Sequence, residues 1–503
     1  MEPMPHFGVW SLLPAVVTIG LALWSKRVIE SLLAGLAVAV FIVSAGAQGW
    51  AVALLRLIPN IFQAIVGKNL EGEIAGVAVR SYGIVDNAGN LVMIALLGIF
   101  ITILDRSGGV MAFGAMIGRR AGGRRGAELG AAAIGTSVFT SAYFSALATG
   151  TIMRPIFDRL KISREKLAFY CDSTSAPINT LVPISGWVVF LIGLLGNVLD
   201  VDGDGAFLAL VRTIPVNFYC WIALLSTYLL ALGILPDLGP MRRAERRIRS
   251  TGELFPEGAR PMVQASKQPV SKEGTVSDLT VPLGLTISLL VILGLWKYTA
   301  APLWGFPGLG LSAYDILNGS FAAGIITAAI KYRLKRLMSG EEIFETLIEG
   351  SKFAIVGAII IVLATTLSSF MRNPAPHGLG TALYVIELTA GAVPTVLIPL
   401  LAFVLSAALA FAMGTSWGVW AMMLPMAVPL ALGAGGSGIL TAAAVLSGGT
   451  FGDHCSPISD TTVMSSIAAE VDHIDHVRTQ LPYALLSAAL AAILFLVAGF
   501  FGQ

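Results

Sequence analysis

The chain is short of cysteine and of charge. Its 503 residues include three cysteines, Cys171, Cys220 and Cys455. They have neither CxxC nor zinc-finger spacing, which excludes a disulfide framework and a structural zinc site. Only 12% of residues are charged against 56% hydrophobic, and the mean hydropathy is +0.81, which excludes a soluble globular protein. No P-loop or HExxH motif occurs and no GxSxG hydrolase elbow is expected, so ATP-driven transport and intramembrane hydrolysis lose support. The formal net charge is +2, with Lys and Arg in short clusters between apolar runs, a pattern that reports membrane topology and not nucleic-acid binding.

Apolar runs are what the chain does have. Stretches long enough to cross about 30 Å of hydrocarbon lie near residues 8–24, 28–46, 90–104, 207–235, 278–296, 313–330, 353–371, 380–412 and 481–501. Residues 128–151, 167–199, 415–431 and 438–468 are apolar but interrupted. This predicts an all-α polytopic membrane protein. No basic region precedes residues 8–24 and no small-x-small site follows them, so they read as a first membrane helix and not as a secretory signal. Basic clusters at residues 26–27, 119–125, 154–166, 242–272 and 331–336 are expected on the cytoplasmic side. The division that follows is a first membrane half at 1–236, a basic cytoplasmic linker at 237–275 and a second membrane half at 276–503.

Two polar stretches break apolar runs at matching places, one from Asp172 to Thr180 around Pro177, the other from Asp453 to Thr462 around Pro457. Each follows a triplet: Gly135, Thr136 and Ser137 in one half, Gly414, Thr415 and Ser416 in the other. The step from triplet Gly to motif Pro is 42 residues in the first half and 43 in the second. Pro-Ile also occurs at Pro155-Ile156 and Pro183-Ile184, so the motif alone is weak. Charge adds independent support: the loop after the first triplet holds Arg154, Arg159, Lys161, Arg164 and Lys166, whereas residues 432–438 hold none. One loop is then cytoplasmic and its counterpart external, as two inverted-topology repeats require. Each repeat is expected to hold a re-entrant hairpin, with its triplet on one arm, and a transmembrane helix broken at Pro177 or Pro457.

Carboxylate, hydroxyl, amide and free carbonyl oxygens are ligands for hard cations. Asp453, Ser456, Ser459, Asp460 and Thr461, with Asp172, Ser173, Thr174, Ser175 and Asn179, make such a set, and sodium is its natural guest. A carboxylate away from bulk water holds either a proton or a cation, which is sufficient for exchange. Asp453 and Asp460 are therefore the candidate proton-coupling groups, and the second motif is the stronger ion site. His454 reads either as a proton carrier, with an unperturbed pKa of about 6.5, or as a hydrogen-bond partner for its neighbours. Beside Cys455 it has no usual zinc spacing. Asp86, Asn87, Asn90, Asn217, Tyr219 and Glu387 read as interfacial groups or interhelical hydrogen-bond partners, and His473 with His476 as part of a solvated acidic turn at the cytoplasmic face, with a metal or pH sensor as the alternative.

Residues Gly452 to Thr462, followed by Ser465 and Ser466, closely resemble the signature of the NhaC-type sodium/proton antiporter family; Trp10 to Pro14 and both Gly-Thr-Ser triplets are similar to it as well. The resemblance spans nearly the whole chain outside residues 237–275. It implies an ion transporter built from two inverted repeats, with elevator-like movement and a homodimer in a bacterial inner membrane. Carried residue by residue, it points to Asp453, His454, Ser456, Asp460 and Thr461, with Asp172, Ser173 and Thr174 as the counterpart. No cofactor, nucleic acid or resident metal is implied, only the lipid bilayer, sodium ions and protons. The expected activity is exchange of sodium for protons by alternating access. Because the family also holds exchangers of organic acids and amino acids, such as malate and lactate, the alternative is a sodium- or proton-coupled carrier of a small organic anion or amino acid. A channel finds no parallel repeat to line its pore.

Overall fold

The computed structural model describes residues 6–25, 27–66, 72–74, 77–79, 84, 88–120, 122–262, 274–297, 310–389 and 394–501. Asp86, Asn87 and residues 263–273 of the expected linker lie outside them. Among the described residues one short antiparallel hairpin, Gly72–Ile74 with Val77–Val79, interrupts an otherwise helical chain. Eight helices are long and apolar enough to span a membrane, or up to ten if the bent pairs Leu91–Arg106 with Gly109–Arg119 and Gly203–Val216 with Phe218–Ala231 each count once. The protein is an integral, multi-pass membrane protein.

In chain order the helices are α1 (Leu13–Ser25), α2 (Val28–Gln48), α3 (Trp50–Leu55), α4 (Leu57–Val66), α5 (Ala88–Arg106), α6 (Gly109–Arg119), α7 (Gly123–Ser137), α8 (Ala142–Arg159), α9 (Arg164–Leu181), α10 (Val188–Leu199), α11 (Gly203–Thr213) and α12 (Phe218–Ala231). They continue with α13 (Gly239–Ser250), α14 (Val276–Leu295), α15 (Ala313–Leu334), α16 (Gly340–Arg372), α17 (Thr381–Thr389), α18 (Ile398–Met413), α19 (Ser416–Gly433), α20 (Gly438–Cys455), α21 (Asp460–Ala469) and α22 (His473–Phe501).

Two helical hairpins organise the interior. In α7–α8 the chain reverses at residues 138–141 and the far ends meet, where Arg124 Nη1 donates to the Lys161 carbonyl at 2.6 Å. In α18–α19 it reverses at Gly414 and Thr415, and Thr395 Oγ1 donates to the Ala434 carbonyl at 3.1 Å. Gly414 is required twice over. Its φ is +68°, and a Cβ there would stand 2.7 Å from the Ile458 carbonyl oxygen.

A broken helix follows each hairpin. Helix α9 stops at Leu181 and α10 starts at Val188; α20 stops at Cys455 and α21 starts at Asp460. Pro457 falls in its gap as expected, but Pro177 does not. It lies inside α9, where Thr174, Asn179 and Thr180 side chains bond to backbone carbonyls of the same helix. The first break is set by Pro183, which holds the preceding Val182 in an extended conformation (φ −88°, ψ 116°).

Two pairs of helices recur with the same offset. Helices α8 and α19 are each 18 residues long and start 274 residues apart. So do α9 and α20, also 18 residues each and each capped by a serine, Ser163 or Ser437. This register pairs Pro183, Ile184 and Ser185 with Pro457, Ile458 and Ser459, and Thr140 and Ser141 with Gly414 and Thr415. Helices α9 and α20 cross antiparallel, since Ser173 meets His454 at 2.9 Å while the later Thr180 meets the earlier Thr450 at 3.3 Å.

Part of the expected linker is a docked helix. In α13, Met241 and Ile248 are buried, and Arg247 donates to Glu165 at 2.7 Å. Glu245 binds Arg124 and accepts the Ser163 amide at 2.8 Å, an anion at the start of α9.

Helix α20 presents Gly448 and Gly452 to α18 at a small-xxx-small spacing. A Cβ would lie 2.3 Å from the Phe403 oxygen at the first position and 2.4 Å from the Ala407 oxygen at the second, whereas Gly284 faces open space. Gly452→Ala is expected to destabilise the protein by about 1–3 kcal/mol, read as a lower melting temperature in detergent, while Gly284→Ala leaves melting unchanged or slightly raised.

Candidate ion and substrate site

A cavity of about 400 Å³ forms where the two hairpin tips meet the two breaks. Thr140, Ser141, Ala142 and Tyr143 come from the first tip, and Thr415 and Trp417 from the second. Gly186 and Trp187 come from the first break, Asp460 and Thr461 from the second, with Asp453 beside them. Ile101 and a strip of α16 (Lys352, Val356, Gly357 and Ile360) close the wall. The N-terminal ends of α8, α10, α19 and α21 therefore all abut this space, each bringing the positive end of a helix dipole and unpaired backbone N–H groups.

Asp453, 2% exposed, lies in the last turn of α20. Its carboxylate is held from two sides: Ser416 at the hairpin tip donates to Oδ2, and Ser459 in the break donates to Oδ1 at 2.6 Å. Thr461 joins through Ser459 at 2.9 Å. Ser456 ties the break to the hairpin by donating to the Phe411 carbonyl at 2.7 Å. Asp460 is exposed in the cavity and accepts the Tyr143 O–H from the other hairpin tip. Hydroxyls and carboxylates from separate elements share this part of the wall, and oxygens of these kinds are the ligands a small hard cation takes.

A second polar cluster lies on the other face of α20. The His454 ring joins Tyr219 Oη at 2.6 Å through Nδ1 and Ser173 Oγ at 2.9 Å through Nε2. Gln480 Nε2 donates to Asp172 Oδ2 at 2.7 Å and also to the His454 carbonyl; His476 Nε2 lies 3.3 Å from the same Asp172 oxygen. Asp172 Oδ1, His476 Nδ1 and Gln480 Oε1 are buried with no partner among the described residues.

The structure thus gathers Asp453, Ser459, Asp460 and Thr461 with Thr415 and Ser416, and keeps Asp172, Ser173, Thr174, Ser175 and Asn179 out of the cavity lining, all buried within α9. Gly135, Thr136 and Ser137 end α7 short of the turn. Gly135 serves close packing, since a Cβ there would stand 1.9 Å from Thr174 Oγ1, and Thr136 bonds Tyr228 at 2.7 Å. His476 is no member of a solvated turn: it is completely buried beside Asp172. His473 holds the Pro457 carbonyl at 2.7 Å and Ser466 at 2.9 Å. Among the described residues no group of three or more His, Cys, Asp or Glu could hold a metal. Asn217 and Tyr219 make interhelical bonds, to Ser447 at 2.6 Å and to His454, and Glu387 pairs with His6 at 2.7 Å.

Sequence reasoning missed Tyr143, Lys352, Trp187, Trp417 and Gln480. Lys352 stands at the edge of the apolar run that begins at residue 353, three residues after Glu349, so its sequence position reads as an ordinary flanking charge. Residues Gly414 to Gly418 also spell GxSxG, but Ser416 sits at a turn between helices and donates to a carboxylate, without the strand or histidine of a hydrolase elbow.

Residues 179–500 match the Na+/H+ antiporter family. An uncharacterized protein of Haemophilus influenzae is 32% identical over 98% of this chain and 91% of its own length. The malate-2H(+)/Na(+)-lactate antiporter of Bacillus subtilis is 42% identical over 89 residues, 18% of this chain and 19% of that one. Among solved structures, the YdaH transporter of Alcanivorax borkumensis superposes with a TM-score of 0.58 at 16% identity, covering 90% of this chain and 98% of that one. Hairpins, breaks and cavity agree with this placement: the chain is a secondary transporter and belongs to the Na+/H+ antiporter family.

Proposed function

We propose that the protein exchanges sodium for protons across the membrane by alternating access, with Asp453 as the exchanging carboxylate. The observation that carries this reading is the position of Asp453, buried at a helix break, on the cavity wall and held by serines from the break and from the hairpin tip. A proton on that carboxylate removes the charge that attracts a cation, so the two compete for one place. Asp460 and Tyr143, from the other hairpin, face the same cavity and fit the role of second cation contact. A bacterial inner membrane is consistent with this activity.

The halves 1–236 and 276–503 read as inverted-topology repeats joined through residues 237–275. The 274-residue offset shared by the pairs α8/α19 and α9/α20 and the antiparallel crossing of α9 and α20 support this arrangement.

Coupled transport of a small organic anion or amino acid is a second reading, favoured by size and charge. A cavity of about 400 Å³ is far larger than a sodium ion needs and falls in the range of small-molecule sites, and Lys352 in its wall is a fixed cation.

In proteoliposomes with a preset pH gradient, sodium is expected to collapse the gradient through the wild-type protein. Asp453→Asn abolishes the response and Asp460→Asn strongly impairs it, each with folded protein confirmed by gel filtration. Full exchange by both variants would remove this site from the mechanism. Apparent sodium affinity in the wild type is expected to fall as pH falls, since protons compete for the same carboxylate. Tyr143→Phe removes one donor to Asp460 and is expected to weaken sodium affinity by about tenfold or less, read from the sodium dependence of the same assay.

A further inference from the structure

The exchange of two inorganic cations leaves Lys352 without a task. Lys352 lies within the 33-residue helix α16 and reaches the cavity. It is exposed and forms no ion pair or hydrogen bond with any described residue. Other lysines of the helical body behave differently: Lys166, Lys297, Lys331 and Lys335 each hold a carboxylate within 3.3 Å. An unpaired ammonium in a cavity wall is free to take an anion that enters there.

The opposite charge stands in the same space. Asp460 is exposed to the cavity, bonded to the Tyr143 hydroxyl but to no cationic side chain. Lys352 and Asp460 do not pair with each other, so each is left to face whatever enters. The same wall also carries apolar and aromatic side chains, Trp187, Trp417, Val356 and Ile360.

Resting on the reading of this cavity as the transport site, we propose that it takes a neutral α-amino acid with an apolar side chain, its carboxylate bound by Lys352 and its ammonium group by Asp460. The helix N-termini around the cavity favour the carboxylate end further. A dicarboxylate would set its second charge beside Asp460 and Asp453, and a diamine would leave Lys352 unmatched. A zwitterion meets both charges and lays its side chain on the indoles. Asp453, nearly enclosed by its two serines, remains for the coupling cation.

The test uses the purified full-length protein, with thermal melting and equilibrium binding measured in saturating sodium. The compounds are leucine and phenylalanine, their deaminated acids (4-methylpentanoate and 3-phenylpropionate) and their decarboxylated amines (isopentylamine and phenethylamine). At least one amino acid is expected to bind, more tightly than its acid and its amine by about tenfold or more in each case. Lys352→Gln is expected to bring the amino acid down to the affinity of the amine, and Lys352→Arg to recover part of the difference. Because the wild-type compound series alone carries the comparison, a variant that fails to fold does not remove the test. If sodium alone stabilises the wild-type protein but neither amino acid binds, or acid and amino acid bind equally, the amino-acid proposal is wrong while the sodium site stands. If sodium has no effect on melting either, the reading of the cavity as the transport site falls with it.

Discussion

Everything in this fold depends on the need to enclose broken backbone at membrane depth. A helix that stops inside the hydrocarbon leaves amides and carbonyls unpaired, and lipid offers them nothing. Here the loose ends are collected in one place. The first hairpin tip accepts the Gly186 amide of the first break at the Thr140 carbonyl, 3.1 Å away, and the second accepts the Ser456 hydroxyl at the Phe411 carbonyl. Each tip seals a break. The polar space that remains is the cavity, so the same constraint that shapes the packing also creates the site.

Close approach is what makes sealing possible, and it accounts for the small residues. Gly448 and Gly452 let α18 lie against α20, and Gly150 lets α8 lie against Ala468 in α21, where a Cβ would stand 2.6 Å from the Ala468 backbone. A side chain at Gly448 or Gly452 would separate the second hairpin from the helix whose break it covers, and one at Gly150 would separate the first hairpin from the far side of the second break. Helix α20 is thereby given two working faces. Asp453 looks toward the cavity, and the next residue, His454, looks toward α9 and α12 into the Asp172 cluster. The two polar systems are adjacent in sequence and separated by the body of one helix.

Much of this is legible in the residues. Hydropathy sets the membrane class, and the run from Asp453 to Thr462 marks the second break, because a proline, two carboxylates and several hydroxyls in an apolar segment are tolerated at membrane depth where the helix opens onto a polar space. The first half is harder to register. Pairing Gly135 with Gly414 and Pro177 with Pro457 uses offsets of 279 and 280 residues where the elements recur at 274. Both markers depart from that offset in the same direction by nearly the same amount, so their mutual spacing matches although neither falls at 274. At the 274-residue offset it is Pro183 and Ile184, which look like a chance repeat of the dipeptide, that stand opposite Pro457 and Ile458. Lys352 and Tyr143 are harder to see because nothing local ties them to the two motifs; only the packing of α16 and α8 around the tips brings them to the cavity.

The corrected register bears on how many coupling sites the transporter has. Asp453 corresponds to Asn179, Asp460 to Gly186 and Ser416 to Ala142, while Ser459 corresponds to Ser185. The serine of the break is kept in both halves, bonded to Asp453 in one and to the Asn179 carbonyl in the other. Both carboxylates are absent from the first. An amide at position 179 cannot exchange a proton for a cation, and a glycine at 186 offers no side chain at all. At this offset the helix breaks match but the acid chemistry does not, and both carboxylates of the cavity come from the second half. That asymmetry leaves the first half to complete the walls, with Tyr143 reaching across to the exposed Asp460 carboxylate.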